Sequence, residues 1–275
     1  MSIVNSFARR RVAPLAAIVI ATALLAACAS QPGPSGESIA AIVGSPDRNP
    51  ADRINDIRRK PADLLAFIAP RPGMVALDVS AARGYTTELI ARSVAPNGKV
   101  YGQNPPRDPA RVAPAQPEGA AAPPPASASP PAPTLVERAR NPSLAIVPVT
   151  RSFEDPAPPE VANGGLDLVT LMFNYHDLGH MSVNRAKMNR AIFQALKPGG
   201  TYVIADHSGR PGTGISEAGT LHRVEEAFVR QEVEAAGFRM AAQGNFLRNP
   251  ADPRDRNTPV PAMPKDEFVL KFVKP

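Results

Sequence analysis

The sequence predicts an α/β fold with a doubly wound, mostly parallel sheet, on three observations. From residue 74 onward, short apolar runs alternate with amphipathic stretches of helical period, the pattern of successive βαβ units. The first run ends in an acid and a turn of small residues, Asp78-Val79-Ser80-Ala81-Ala82-Arg83-Gly84, before a helix begins. Hydrophobic residues fill 43% of the 275 positions and charged residues 20%, which permits a packed core and excludes wholesale disorder.

The N-terminal segment stands apart. Arg9-Arg10-Arg11 precedes an apolar run over residues 12–27, broken only by Pro14 and Thr22. That run is too short to span a bilayer as a helix and reads as an export signal. It ends in Leu25-Ala26-Ala27-Cys28, which resembles the bacterial lipobox, in which the cysteine becomes the lipidated first residue of the mature chain. Cys28 is the only cysteine, so an internal disulfide framework is excluded. Residues 1–27 are expected to be a lipoprotein signal peptide and residues 28–48 a Gly/Ser/Pro-rich tether without periodicity. Ala29-Ser30 lacks the aspartate associated with inner-membrane retention, so the resemblance implies an outer-membrane lipoprotein facing the periplasm.

A folded domain is expected over residues 49–275. Ile54, Ile57, Leu64, Leu65 and Ile68 recur at helical intervals, with Pro61 suited to the first position of a second helix. Residues 74–77 form the first strand, residues 86–94 a helix that Thr86 or Thr87 caps, and residues 99–102 the second strand. Eleven of the 33 prolines fall between Pro105 and Pro133. Proline lacks the amide donor that a helix or ladder needs, so this Pro/Ala-rich stretch is an extended insertion after the second strand. Beyond it come strands over residues 145–149, 166–173, 201–205 and 267–272, with helices over 182–196 and 224–236. The alternation fits six or seven strands.

Charge excludes less than it first suggests. The net +6 includes the three signal arginines, and the remainder carries 28 basic against 25 acidic residues. Nucleic acid is not implied as a partner, and the absence of tryptophan argues against a stacking surface.

In a doubly wound sheet, ligands lie beyond the carboxyl ends of the strands. The turn after the first strand resembles the first motif of class I methyltransferases, which use S-adenosylmethionine: Asp78 and Gly84 match, while Ser80 and Ala82 replace two glycines. Leu196-Lys197-Pro198-Gly199-Gly200 is similar to that superfamily's turn before the fifth strand. Five further segments, Arg59-Lys60-Pro61, residues 84–89, Asn174-Tyr175-His176-Asp177, Asp206-His207-Ser208 and residues 232–238, together with His222, resemble a group of predicted exported bacterial methyltransferases.

The resemblance implies a seven-stranded Rossmann-like sheet and transfer of a methyl group to a small-molecule or envelope substrate. It implies S-adenosylmethionine held by Asp78, Ser80, Ala82, Gly84, Asn104 and Asp155, with Asn104 where an acid usually binds the ribose. Arg83 offers either a cation for the cofactor carboxylate or a solvated surface charge. His176 is the candidate base, since an imidazole titrates near neutral pH, with Asp177, Asn174 and Asp206 in support.

No metal is expected. His176 and His180 are four apart, but no glutamate follows His176 and Gly179 weakens a helix, so a third ligand would have to come from His207 or His222. Export also separates the domain from the cytoplasm, where the methyl donor is made. A non-catalytic envelope binding module on a degenerate methyltransferase fold is therefore the alternative. A dinucleotide-dependent oxidoreductase is disfavoured because the Gly-x-Gly-x-x-Gly spacing is absent.

Overall fold

Pairing of β1 (Val75–Val79) with β2 (Lys99–Asn104) on one side and β4 (Leu166–Met172) on the other sets the centre of the molecule, and both pairings are parallel. With β3 (Ile146–Thr150), β5 (Leu196–His207), β6 (Arg239–Gly244) and β7 (Glu267–Val273), the order is β3-β2-β1-β4-β5-β7-β6. Only β7 runs antiparallel to its neighbours. The computed structural model describes residues 1–2, 33–106 and 131–275. The signal segment, Cys28 and most of the Pro/Ala-rich insertion lie outside the described residues.

Alternation along the strands sorts the core onto two faces. Leu77, Val79, Tyr202 and Ile204 point to the face covered by α6 (Arg185–Ala195) and α8 (Glu226–Glu234). Ala76, Val203 and Ala205 point to the face covered by α3 (Pro61–Ile68) and α4 (Tyr85–Val94). Pro61 opens α3, as its fixed φ predicts. Ile54 and Ile57 do not pack: on α2 (Pro50–Arg59) they are 60% and 84% exposed.

Three elements were not legible in advance. Residues 36–44, within the expected tether, form helix α1 (Gly36–Gly44), capped by the Ser35 hydroxyl, and Ile39 packs on Leu65 and Leu89. Its apolar run Ile39-Ala40-Ala41-Ile42-Val43, flanked by Gly/Ser/Pro-rich sequence, packs through Ile39 with Ile42 and Val43 beside it. Helix α5 (Leu135–Ala139) follows the insertion behind a Thr134–Glu137 capping box. Strand β6 shows no run of apolar residues; as a sheet edge it exposes one side. A further short helix, α7 (Ala218–Leu221), precedes His222.

One local expectation is corrected and another holds. Gly84, in a left-handed conformation at φ +85°, caps α4 in place of a threonine; Thr86 and Thr87 are buried inside the helix. The Leu196-Lys197-Pro198-Gly199-Gly200 turn is present at the entry to β5, with Gly199 at φ +77° and a register break between the Leu166–Leu196 and Leu168–Thr201 pairs, and Lys274 bonds Gly199 and Gly200.

Buried ion pairs fasten the N-terminal helices to this frame. Arg138 of α5, 3% exposed, binds Asp52 of α2 at 2.7 Å and also Glu88 of α4. Arg48 pairs with Asp56 at 2.8 Å, and the Tyr85 hydroxyl donates to Asp56 at 2.6 Å. Breaking such a pair on one side leaves uncompensated buried charge, at a cost of about 3–5 kcal/mol. Arg138→Met is therefore expected to lower the unfolding free energy by that amount in a denaturant titration; a change below about 1 kcal/mol would show that water reaches Asp52 and Glu88.

Candidate functional site

The parallel strands all deliver their following loops to one edge. The turn after β1 keeps left-handed backbone at three alternate positions, of which only the last is glycine. Ser80, Ala82 and Gly84 have φ of +57°, +50° and +85°, a region that costs non-glycine residues roughly 1–2 kcal/mol each. The strain is held by side-chain amides from β2. Gln103 Oε1 accepts from the Ser80 amide at 3.0 Å, and the Asn104 side chain bonds both the amide and the carbonyl of Ala82.

Each residue expected to hold a cofactor has a partner within the chain. The Asp78 carboxylate is 2% exposed and accepts the Thr87 and Thr170 hydroxyls at 2.6 and 2.7 Å, tying α4 to β4. The Ser80 hydroxyl donates to Asn174 Oδ1 at 2.7 Å. A Cβ on Gly84 would strike Leu135 and Arg138, 2.9 and 3.0 Å away, so this glycine makes room for α5. Asp155 is exposed and paired with Arg151. Arg83 donates to the Ala132 carbonyl at 2.6 Å. Beside this turn, Ala82, Asn104, Thr134, Leu135, Val149 and Thr150 border a cavity of about 480 Å³.

Arg59 is a residue whose role the sequence did not disclose. Its guanidinium stacks over Phe173 at 4.3 Å and Tyr85 at 5.5 Å. Its Nε is buried with no hydrogen-bond partner among the described residues. Burial, reinforced by neighbouring Arg58, lowers its pKa to about 10, so the cation persists at neutral pH.

The expected catalytic set does assemble. Asp206, fully buried at the end of β5, accepts from the His176 amide at 2.8 Å and the His207 amide at 2.7 Å, and meets His176 Nδ1 at 2.6 Å. Asp177 Oδ1 lies 3.3 Å from His176 Nε2 and 3.1 Å from His222 Nδ1, while Asn174 donates to Asp177 Oδ2 at 2.8 Å. A continuous chain of contacts thus runs from Ser80 through Asn174 and Asp177 to His176 and Asp206. Tyr175 is structural: its hydroxyl donates to Glu232 inside the core.

The charge state of His176 departs from the sequence expectation. Burial opposes its ionisation, but Asp206 and Asp177 outweigh burial and push its pKa up to about 9. Burial likewise opposes charge on Asp177, yet His176 and His222 hold it down at about 2. An imidazole already protonated at neutral pH is a hydrogen-bond donor, not a base.

No family model matches the chain, and no curated protein sequence does either. Solved structures do. A methyltransferase from Aquifex aeolicus, dependent on S-adenosylmethionine, superposes with a TM-score of 0.53 at 17% identity, covering 88% of this chain and 99% of that one. This chain has the class I methyltransferase fold. A chain from the Haloferax volcanii complex of a methyltransferase with its activator gives 0.50 at 17% identity, over 87% of this chain and 98% of that one. The [4+2]-cyclase SpnF gives 0.50 at 16% identity, over 78% and 82%. The methyltransferase fold accounts for the seven strands, the reversed β7 and the crevice at the switch point between β1 and β4.

Asp78, at the root of that crevice, makes the domain's stability pH-dependent. Burial raises its folded-state pKa to about 6, with the Thr87 and Thr170 hydroxyls working against it. Its protonated form therefore favours folding, a contribution present below about pH 4 and lost as pH rises through about 6. A shift of roughly two units corresponds to ~3 kcal/mol. Asp78→Asn is expected to match the parent near pH 4 and to gain stability relative to it by pH 7. Denaturant midpoints for the two proteins measured across that range decide the point; parallel curves would show that Asp78 does not titrate there.

Proposed function

We propose that the chain is an S-adenosylmethionine-dependent methyltransferase of the bacterial cell envelope, anchored through lipidated Cys28. The carrying observation is the turn after β1: Ser80 and Ala82 retain strained left-handed conformations in the fold where glycines serve a cofactor. The residues present fit such a ligand. The cavity beside Ala82 and Asn104 has the volume of a small-molecule site. Arg59 supplies a cation for the carboxylate of an amino-acid group, its buried Nε without a hydrogen-bond partner among the described residues. Asn104, which bonds Ala82 through one acceptor and one donor, would offer the same two groups to a ribose hydroxyl.

The bound cofactor would supply a sulfonium methyl group open to in-line attack. The chain contributes proximity, orientation and exclusion of water. Asn174 is the hinge between the two halves of the site, since its carbonyl is fixed by Ser80 and its amide by Asp177. His176 donates from Nε2 and so orients Asp177 and an acceptor beside it. With His176 charged, the site suits a nucleophile that needs no strong base.

A second reading rests on one observation. The Ser80 and Ala82 amides are already satisfied by Gln103 and Asn104, as a binding module that has given up the cofactor would have them.

Titration with S-adenosylhomocysteine separates the two. Saturable binding by the parent, weakened about 10–100-fold in Arg59→Gln, supports the enzyme reading, because a charge-assisted hydrogen bond contributes about 1.5–3 kcal/mol. No binding at millimolar ligand would establish the binding module instead.

The anchor has its own test. Cys28→Ser is expected to abolish lipidation and release the chain from membranes washed with carbonate. Unchanged processing and membrane association in the variant would remove the lipoprotein assignment.

A further inference from the structure

We propose that His176, Asp177 and His222 form a binding site for a divalent transition-metal ion such as zinc. The sequence offered His176 and His180 as a helical pair, but the fold makes a different set. A loop after β4 brings His176 and Asp177, and a separate segment after α7 brings His222 across to them. The candidate ligand atoms of these three residues all lie within 4.8 Å of one another. It is the local geometry that singles out a metal, more than the composition.

Zinc bonds of about 2.0–2.1 Å in a tetrahedron separate neighbouring ligand atoms by roughly 3.3–3.4 Å. His176 Nε2 lies 3.3 Å and His222 Nδ1 3.1 Å from Asp177 Oδ1. Those two edges already have the length that coordination requires. With the ion taking the place of the proton on His176 Nε2, which is released to solvent, two imidazoles and one carboxylate make a three-ligand site with a fourth position open, the arrangement of zinc centres that act on a bound water or substrate. His180, whose Nε2 is 4.0 Å from Asp177 Oδ1, stands at the rim.

The surroundings are built to the same end. Metal-binding histidines characteristically give their other nitrogen to a carboxylate, which fixes ring and tautomer. Asp206, fully buried, meets His176 Nδ1 at 2.6 Å and leaves Nε2 facing Asp177. Asn174 holds the second oxygen of Asp177, so Oδ1 alone faces the imidazoles. His222 adopts φ +51°, a strained conformation for a residue with a side chain, and in it reaches Asp177. The floor of the site is buried, since His176 is 3% exposed. The His222 side chain at 41% and that of Asp177 at 26% keep the outer side open to an entering ion.

The test uses the full chain without a histidine tag, dialysed against zinc(II) and assayed by elemental mass spectrometry, with cobalt(II) as a spectroscopic substitute. One zinc per chain and intense visible absorption from four-coordinate cobalt are expected. His222→Ala, which removes a side chain 41% exposed and outside the apolar core, should lower zinc affinity at least 100-fold while circular dichroism stays unchanged. Asp206→Asn should lower it about 10–100-fold, as for other carboxylates behind a metal-bound histidine. A folded parent that takes up no stoichiometric zinc, or zinc affinity that His222→Ala leaves unchanged, would overturn the proposal. S-adenosylhomocysteine binding, measured with and without chelator on the same samples, reports on the cofactor crevice separately.

Discussion

Parallel pairing on both sides of β1 forces every following loop to the same edge of the sheet, and the chemistry of this chain depends on that constraint. Asp78, Asn104, Asn174 and Asp206 stand at the ends of four different strands, up to 128 positions apart in sequence, from residue 78 to residue 206. No turn or helix could bring them together locally. The reversal of strand order between β1 and β4 then opens a crevice where the helices diverge to opposite faces.

The crevice is held by buried polar groups, each bonded on several sides. Asp78 ties α4 to β4 through two threonines, and Asp206 fixes the backbone and ring of His176 together. Such groups are costly to bury, and the cost falls when every lone pair is used. The same economy explains the turn after β1, whose left-handed residues persist because Gln103 and Asn104 answer their amides. Ser80 then carries the position of this turn to Asn174, so the two halves of the candidate site are mechanically joined.

Beyond the sheet, the helices that precede and follow it are fastened by charge as much as by apolar contact. Arg138 closes α5 over Gly84 and reaches α2 and α4. The segment after the insertion therefore acts as a clasp on the edge of the crevice, and the glycine at position 84 serves that clasp.

Much of this was legible in the residues themselves. The alternation of apolar runs and helical periods gave the α/β class, because strand and helix periods are local properties of a chain. Asn174, His176, Asp177 and Asp206 were identifiable as a group through the resemblance of their two segments to methyltransferase motifs. Helix α1, strand β6 and the exposure of Ile54 and Ile57 were not, since contacts distant in sequence or an edge position decide them. Nor could the sequence reveal that Asn104 folds back on Ala82, that Arg59 lies against the rings of Phe173 and Tyr85, or that His222 comes closer to Asp177 than His180 does. Composition and periodicity determine which elements form. Which side chains meet across those elements, and with what charge, is set by burial and distance in three dimensions, and only the tertiary structure decided it.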